Sequence, residues 1–208
     1  MIIIGADENG WGPIAGPLVV TAAVGDVNAI TCRDSKKYPR SRIHDVAKKT
    51  KEDCITSVSL TASATRLGSC QRRYEDIRRG LFFRAIYECR RRIAPRYPDT
   101  VIDGNDSFGI RYAQGLPHAD NRISIVGAAS CIGKSTQLKW MLRAHRLFPE
   151  YGFDQHAGYA TKLHCASLVT HGMIPGIHRV SRCMNWARRR GINLRFNGDP
   201  SYDYSADL

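Results

Sequence analysis

Residues 2–24 read IIIGADENGWGPIAGPLVVTAAV and hold two apolar runs on either side of a turn-rich segment. Ile2 to Ala6 predicts a buried strand, and Leu18 to Val24 predicts a second strand next to it. Two Gly-Pro steps separate the runs and are typical of turns. The chain therefore opens with two neighbouring strands, and the acids Asp7 and Glu8 follow the first of them.

The rest of the chain predicts alternating strands and helices. Cys54 to Leu60 alternates imperfectly between apolar and polar residues, which favours a third strand. Strands followed by alternating helices indicate an α/β fold built of layers. The further predicted elements are strands over Thr100 to Gly104 and Ile123 to Val126, and helices over 71–93, 127–147 and 158–172.

Pro149 is the position that favours a joint between two parts of the chain. Strand and helix patterns precede it, and only helical patterns follow it. We therefore expect an α/β core over 1–147 and a helical C-terminal extension over 148–208 that packs on the core.

Positive charge is the unusual feature of the composition. The chain has 31 Lys and Arg against 19 Asp and Glu, a formal net charge of +12. Such an excess favours a polyanionic partner, with nucleic acid ahead of an acidic membrane surface. No apolar run approaches the ~20 residues of a membrane span, and the N-terminus lacks the basic leader of a signal peptide.

Cysteine and histidine usage argues against disulfides and structural zinc. Seven cysteines without a C-x-x-C pair are typical of reduced thiols in a cytoplasmic protein. The seven histidines lack the close pairing of a zinc finger. We expect a cytoplasmic monomer without membrane association.

Arginines are concentrated in two groups. A solvated helix face explains either group alone, but two such groups favour contact with a phosphate backbone. The first group is Arg72, Arg73, Arg78, Arg79, Arg84, Arg90, Arg91, Arg92 and Arg96, and the second is Arg182, Arg188, Arg189, Arg190 and Arg195.

Four acids stand out in this basic chain, namely Asp7, Glu8, Asp103 and Asp120, each near the end or the start of a predicted strand. Carboxylates at strand ends can converge on one edge of a sheet. Mg²⁺ prefers such oxygen ligands, and two ions about 4 Å apart can clamp the attacking water and the leaving oxygen of a phosphodiester. Turn caps and surface acids are the alternative explanation. Asp7 and Glu8 are adjacent, so we expect them to share a site only if the chain leaves the strand there.

A longer ordered pattern resembles ribonuclease HII, the type 2 ribonuclease H family. The series spans positions 4 to 182 and is more specific than any single motif. The matching segments are Ile4 to Pro17, Asp34 to Lys37, Val101 to Asn105, Ala119-Asp120, Ala128 to Ser130 with Lys134, Tyr151 to Phe153 with His156, Gly158 to Thr161 with His164, and His178-Arg179 with Ser181.

The resemblance implies a ribonuclease H-like fold, a five-stranded mixed sheet flanked by helices with a helical C-terminal extension. It implies that the four acids are catalytic and hold two Mg²⁺ or Mn²⁺ ions. The implied reaction hydrolyses the phosphodiester on the 5′ side of a ribonucleotide, in an RNA–DNA hybrid or embedded in duplex DNA. The implied products carry 3′-hydroxyl and 5′-phosphate ends.

The resemblance also implies substrate contacts. The backbone of Gly10, Trp11 and Gly12 is expected to bind the ribose 2′-hydroxyl, the group that distinguishes RNA from DNA. Tyr159 is expected to stack on the sugar that follows. Phosphates are expected to be held by Lys36, Lys37, Ser130 and Lys134.

The chain departs from the family pattern at several positions. The family has Arg where this chain has Trp11, and usually Ala where it has Asn9. Gly133 stands in place of Ala, and Gln137 and Leu138 stand in place of a basic–acidic pair. Because the four acids are retained, we expect altered efficiency rather than lost metal binding.

Two other functions are weighed against this one. Residues 128–135, AASCIGKS, satisfy a loose phosphate-loop pattern after a predicted strand, so Gly133, Lys134 and Ser135 would bind a nucleotide. A catalytically impaired hybrid-binding module of the same fold is the other alternative. Trp11 favours that module mildly, and the retained acids disfavour it.

Overall fold

A computed structural model describes residues 1–68, 73–95 and 98–207 of the chain. The chain divides into two compact units. Unit 1 comprises residues 1–9, 19–61 and 78–136, and unit 2 comprises residues 10–18, 62–77 and 137–208. The predicted boundary between 147 and 148 divides the chain differently and stays a prediction. Arg72 and Arg96, counted in the first arginine group, lie outside the described residues.

Unit 1 is built on a five-stranded sheet with the strand order β3-β2-β1-β4-β5. Strand β1 is antiparallel to β2 and parallel to β4, and β4 is parallel to β5. The predicted mixed sheet is therefore confirmed, and β1 is its central strand. The strands are β1 (Ile2–Asn9), β2 (Leu18–Asp26), β3 (Thr56–Ala62), β4 (Thr100–Asp103) and β5 (Ala113–Leu116).

Helices occur in both units of the described chain. The helices are α1 (Ile43–Asp53), α2 (Ala64–Gly68), α3 (Tyr74–Arg92), α4 (Ala119–Arg122), α5 (Ser124–Leu147), α6 (Phe153–His156), α7 (Lys162–His171) and α8 (Val180–Arg188). Helices α3 and α5 confirm the predicted helices over 71–93 and 127–147, except that positions 71 and 72 lie outside the described residues. Helix α7 begins later than predicted, because Thr161 is its N-cap and its hydroxyl accepts from the His164 amide at 3.3 Å.

Helix α5 packs directly on β1 in unit 1. A Cβ on Gly5 would lie 2.6 Å from the backbone of Ile125 and Val126, so only glycine permits this approach. Ile125 and Val126 are completely buried in the first turn of α5. The predicted strand over Ile123 to Val126 is therefore wrong. Burial against β1 outweighs the β preference of these branched side chains.

Strand β5 and helix α1 are absent from the sequence predictions. Strand β5 reads Ala-Gln-Gly-Leu, has little β propensity, and is held by backbone pairing with β4 from Thr100↔Ala113 to Asp103↔Leu116. Helix α1 buries only Ile43, Ala47 and Thr50, a narrow stripe on one face. Both elements depend on partners far away in the sequence.

Aromatic and imidazole rings fill the interior of unit 2. Tyr151 and Phe153 stack with ring centroids 5.4 Å apart, and the rings of His156 and His164 stack at 4.3 Å. The Nε2 atoms of His164 and His178 are 3.1 Å apart. Burial lowers the pKa of His164 to about 4 and that of His178 well below its ordinary value. These histidines are therefore neutral at physiological pH.

No helix in the described part of the chain is long and apolar enough to cross a membrane. The cysteines within that part are free thiols. Two of them approach each other in unit 1, since the Sγ atoms of Cys32 and Cys131 are 3.3 Å apart.

Candidate active site

Asp7 and Glu8 both lie inside β1, in unit 1. Strand alternation sends their side chains to opposite faces. Asp7 is 5% exposed and hydrogen-bonds Ser130 of α5. Glu8 accepts from Arg78 Nη1 of α3 at 3.2 Å. The chain does not leave the strand between the two acids, yet the charge of Glu8 still acts on Asp7.

Asp103 and Asp120 join these two acids in unit 1. Asp103 ends β4, and the register Ala6↔Ile102 places it beside Asp7 on the neighbouring strand. Asp120 lies in the short helix α4 instead of leading into a strand. Its backbone amide donates to Asp103 Oδ1 at 3.4 Å. The structure thus brings Asp7, Asp103 and Asp120 together, while Glu8 is adjacent in the chain but directed to the opposite face of β1. We call these four acids the acidic cluster.

Mutual repulsion and burial make the acidic cluster unfavourable when fully charged. Burial raises the pKa of Asp7 well above its ordinary value, the hydrogen bond from Ser130 opposes this, and the other three acids raise the pKa further. Burial also raises the pKa of Asp120, with Asp103 adding to the effect. Such an environment favours the binding of cations.

Two basic side chains of the protein already contact these acids. Arg78 pairs with Glu8, and Lys36 Nζ lies 4.0 Å from Asp120 Oδ2 and 3.8 Å from Asp34 Oδ2. In the sequence Arg78 is only one member of the first arginine group, and nothing there indicates its contact with Glu8. Asp34 belongs to a family motif, but Asp34 followed by Ser-Lys is also an N-cap signal, and the Lys36 amide donates to its Oδ1 at 2.9 Å.

The other predicted phosphate ligands of unit 1 lie in different surroundings. Lys37 is exposed and forms no ion pair with any described residue. Ser130 is 2% exposed and supports Asp7 from inside, with its Oγ 3.1 Å from Ser35 Oγ. Lys134 is largely buried, and burial, with two neighbouring cations, lowers its pKa to about 8. Their contacts with phosphate stay predictions.

Residues 128–135 lie in the middle of α5, with no strand before them. A phosphate-binding loop needs backbone amides exposed at a turn between a strand and a helix, whereas the amides of a helix interior are engaged. The nucleotide-binding interpretation of Gly133, Lys134 and Ser135 is therefore wrong.

In unit 2, Arg179 holds the loop from Gly10 to Gly16. Arg179 is completely buried, and burial lowers its pKa to about 10, so it stays charged at neutral pH. Hydrogen bonds offset the desolvation cost of burying the charged guanidinium, and the same bonds hold the loop in place. The guanidinium donates to the carbonyls of Gly10 (2.7 Å), Trp11 (3.3 Å), Pro13 (3.0 Å) and Gly16 (2.8 Å), and to the hydroxyl of Tyr74. The loop partners of Arg179 are more than 160 positions away in the sequence, so local pattern gives no sign of this role.

The same loop carries the predicted ribose contacts of unit 2. Gly10 has a φ of +84°, and a Cβ there would lie 2.5 Å from the carbonyl oxygen of Pro17. Gly12 is exposed, and a Cβ on it would lie 3.3 Å from the Tyr159 ring. Tyr159 is 45% exposed, which excludes a core role for its ring. The structure therefore brings Gly12 and Tyr159 together at the surface of unit 2.

The donor set of the acidic cluster suits magnesium or manganese. Within the described ranges, no three His, Cys, Asp or Glu side chains form a group that could by itself hold a metal ion. Mg²⁺ usually takes one or two carboxylates and completes its shell with waters and substrate phosphates. Asp103 and Asp120, beside Asp7, offer the carboxylates of that mode of binding.

Comparisons with known proteins bear on the family and the fold of this chain. The model of the family "Ribonuclease HII" matches residues 4–188. The ribonuclease HII of Hydrogenovibrio crunogenus is 31% identical over 179 residues, which cover 85% of this chain and 84% of that protein. The ribonuclease H2 of Pyrococcus horikoshii has a similar fold, with a TM-score of 0.70 at 21% identity over 91% of this chain and all of that one.

A second solved structure, Bst-RNase HIII in complex with Mn²⁺, gives a TM-score of 0.70 at 22% identity over 91% of this chain and 71% of that one. The match to the family model covers most of the sequence. The chain therefore belongs to the ribonuclease HII family and is a type 2 ribonuclease H.

Proposed function

We propose that this enzyme is a metal-dependent endonuclease that hydrolyses the phosphodiester on the 5′ side of a ribonucleotide. Its substrates are RNA–DNA hybrids and duplex DNA with embedded ribonucleotides, and its products carry 3′-hydroxyl and 5′-phosphate ends. The observation that carries the proposal is the gathering of Asp7, Glu8, Asp103 and Asp120 in unit 1, with burial and repulsion raising the pKa of Asp7.

Asp7 and Asp103, from neighbouring strands, would hold two Mg²⁺ or Mn²⁺ ions jointly, with Glu8 and Asp120 as further ligands. Bound there, the ions would stabilise charge on the phosphate and lower the pKa of the attacking water. A metal is needed because a phosphodiester would otherwise be repelled by the carboxylates.

The residues around the acids keep them in place. The Glu8 amide donates to Asp7 Oδ1 at 2.7 Å, and Ser130 supports the same carboxylate. Arg78 orients Glu8 from α3. Lys36 is 83% exposed at its side chain while it reaches Asp120, so it can exchange that contact for a phosphate. These contacts preorganise the site for charge that develops during hydrolysis.

Unit 2 supplies the ribose contacts of this proposal. The backbone of Gly10, Trp11 and Gly12 binds the 2′-hydroxyl, and the exposed ring of Tyr159 stacks on the adjacent sugar. Because the 2′-hydroxyl is the group that DNA lacks, this contact restricts cleavage to ribonucleotides.

The test uses three labelled duplexes: all DNA, DNA with one ribonucleotide, and an RNA–DNA hybrid. Each is incubated with Mg²⁺, Mn²⁺ or EDTA. We expect cleavage 5′ of the ribonucleotide with either metal, and none of the all-DNA duplex. Ligation of the products identifies their 3′-hydroxyl and 5′-phosphate ends.

Variants of the acids test the site itself. Asp7→Asn and Asp103→Asn are expected to lower cleavage by at least 100-fold. Glu52→Gln, an exposed acid on α1, is the matched control and is expected to leave cleavage unchanged. Cleavage that survives both aspartate variants would overturn the site assignment. Folded wild-type protein that binds the hybrid but cleaves under no metal would favour the impaired hybrid-binding module instead.

A further inference from the structure

Trp11, Tyr74 and Arg182 form a compact group in unit 2. The Trp11 indole meets the Tyr74 ring edge-on, with ring centroids 4.7 Å apart. The Arg182 guanidinium lies 4.4 Å from the Tyr74 ring centroid and 5.8 Å from the Trp11 ring. A guanidinium at these distances is attracted to the electron-rich face of an aromatic ring. Arg182 is therefore held in one orientation by two aromatic rings.

Arg182 also contacts the glycine loop. Its Nη1 donates to the carbonyl of Gly12 at 2.9 Å. In the described part of the chain no carboxylate pairs with Arg182, and its Nε and Nη2 donate no hydrogen bond. Arg179 differs, because all three of its nitrogens donate to loop carbonyls. The charge of Arg182 and most of its donors thus remain available to a ligand.

Resting on the proposed function, we propose that Arg182 is a substrate-contact residue that binds a phosphate of the strand lying on Gly12 and Tyr159. Gly12 links the three features, since it contacts Arg182 through its carbonyl and lies against the Tyr159 ring. A guanidinium fork binds phosphate oxygens through two parallel N–H bonds. The cation at this loop comes from α8, and Trp11 is a positioning residue that packs against the guanidinium.

The chain offers a matched control for this arginine. Arg190 lies 5.1 Å from the Trp186 ring centroid and donates to a backbone carbonyl at 3.2 Å, so it also combines an aromatic and a carbonyl contact. Its carbonyl belongs to Trp186 itself, not to the glycine loop. Arg182→Ala and Arg190→Ala therefore each remove one positive charge from unit 2. Only Arg182→Ala also removes the proposed phosphate contact.

The test measures binding of the full chain to a fluorescent duplex that carries one ribonucleotide, by anisotropy in EDTA, over 50–300 mM salt. We expect Arg182→Ala to weaken binding about tenfold and to reduce the slope of log affinity against log salt by about 1. Arg182→Lys is expected to keep the slope, since it keeps the charge. Arg190→Ala removes the same charge without the glycine-loop contact and is expected to weaken binding less than Arg182→Ala does.

Two further variants distinguish loss of the Arg182–phosphate contact from unfolding of the protein. Arg182→Gln retains a donor for the Gly12 carbonyl but no charge, so it is expected to lose the same slope even if Arg182→Ala unfolds. Trp11→Ala is expected to weaken binding only while Arg182 is present, so the double variant Trp11→Ala/Arg182→Ala should bind like Arg182→Ala alone. A salt slope unchanged in both Arg182→Ala and Arg182→Gln would overturn the proposal. Because binding is measured without cleavage, a wild type that binds but does not cleave would refute the proposed function separately.

Discussion

The side-chain oxygen of Asn9 lies against the Cα of Gly133, so that a Cβ at 133 would overlap it. The same Cβ would lie 2.9 Å from Thr21 Oγ1. Both Asn9 and Gly133 depart from the family pattern, in which Ala is usual at these positions. The larger side chain at 9 fills the space that a Cβ at 133 would occupy. The two departures, one on β1 and one on α5, therefore compensate each other in volume.

This exchange predicts a strong coupling between the two positions. Gly133→Ala alone is expected to destabilise the protein by about 1–3 kcal/mol, because the added methyl collides with Asn9. In the Asn9→Ala background the same change is expected to cost at least about 1 kcal/mol less, because the collision with Asn9 is removed and only the approach to Thr21 Oγ1 remains. Urea unfolding of the four proteins measures both effects. If the changes in unfolding free energy of the two single variants add up to that of the double variant, the contact between positions 9 and 133 is not the cause of the destabilisation.

Neutralising Asp7 is expected to stabilise the metal-free protein. The folded state raises the pKa of Asp7, so the charged carboxylate costs stability at pH 7.5, and Asn removes that cost. We therefore expect Asp7→Asn to raise the free energy of unfolding in EDTA. Thermal melts check this, with Glu52→Gln as the unshifted control. A lower melting temperature for Asp7→Asn would contradict the account of the acidic cluster.

Replacing Arg179 by lysine is expected to be severe despite the retained charge. Lysine has three donors and cannot serve four carbonyls and a hydroxyl at once. Each buried carbonyl left without a donor costs about 1–3 kcal/mol, so Arg179→Lys should lose about 3 kcal/mol or more. Arg195→Lys, where an exposed arginine donates to one carbonyl at 3.1 Å, should change stability by under about 0.5 kcal/mol. Similar urea midpoints for the two variants would refute the role given to Arg179.

Acid is expected to destabilise unit 2 through its buried histidines. The folded state lowers the pKa of His164 to about 4 from an ordinary 6.5. The unfolded chain therefore binds the extra proton between these values, and stability is complete above about pH 6.5 and falls as the pH drops toward 4. The loss from His164 alone is expected to reach about 3 kcal/mol.

Urea unfolding at pH 7.5 and pH 5 measures this loss. His164→Gln is expected to lower stability at both pH values but to reduce the difference between them. His118→Asn, at an exposed histidine, is expected to keep the full difference. An equal pH dependence in all three proteins would exclude His164 as its source.

Local pattern predicts much of the sheet. Strands β1 and β2 follow from apolar runs that are long, branched and bounded by Gly-Pro turns. The run at 123–126 has the same local character but forms a helix, because Gly5 on a distant strand lets α5 approach. Strand β5 has almost no local signal and exists because β4 offers it a backbone to pair with.

For the four acids too, local sequence predicts one part of the site and tertiary contacts determine the other. Their number, their order and the glycines beside them are properties of the chain, and they are enough to predict metal-assisted hydrolysis of a phosphodiester. The contacts of Asp7 with Ser130 and of Glu8 with Arg78 require two helices on opposite faces of β1. No local pattern carries that information.

The sequence by itself determined which functional groups are present, because carboxylate, amide and guanidinium groups keep their donor and acceptor types wherever they occur. It also determined the central strand pair, since burial on both faces leaves a continuous apolar run. Tertiary structure alone decided which charges are compensated. All three side-chain nitrogens of Arg179 donate to loop carbonyls, whereas Arg182, three residues later, donates to the loop through Nη1. Packing across long sequence separations determines which of these donors meet carbonyls.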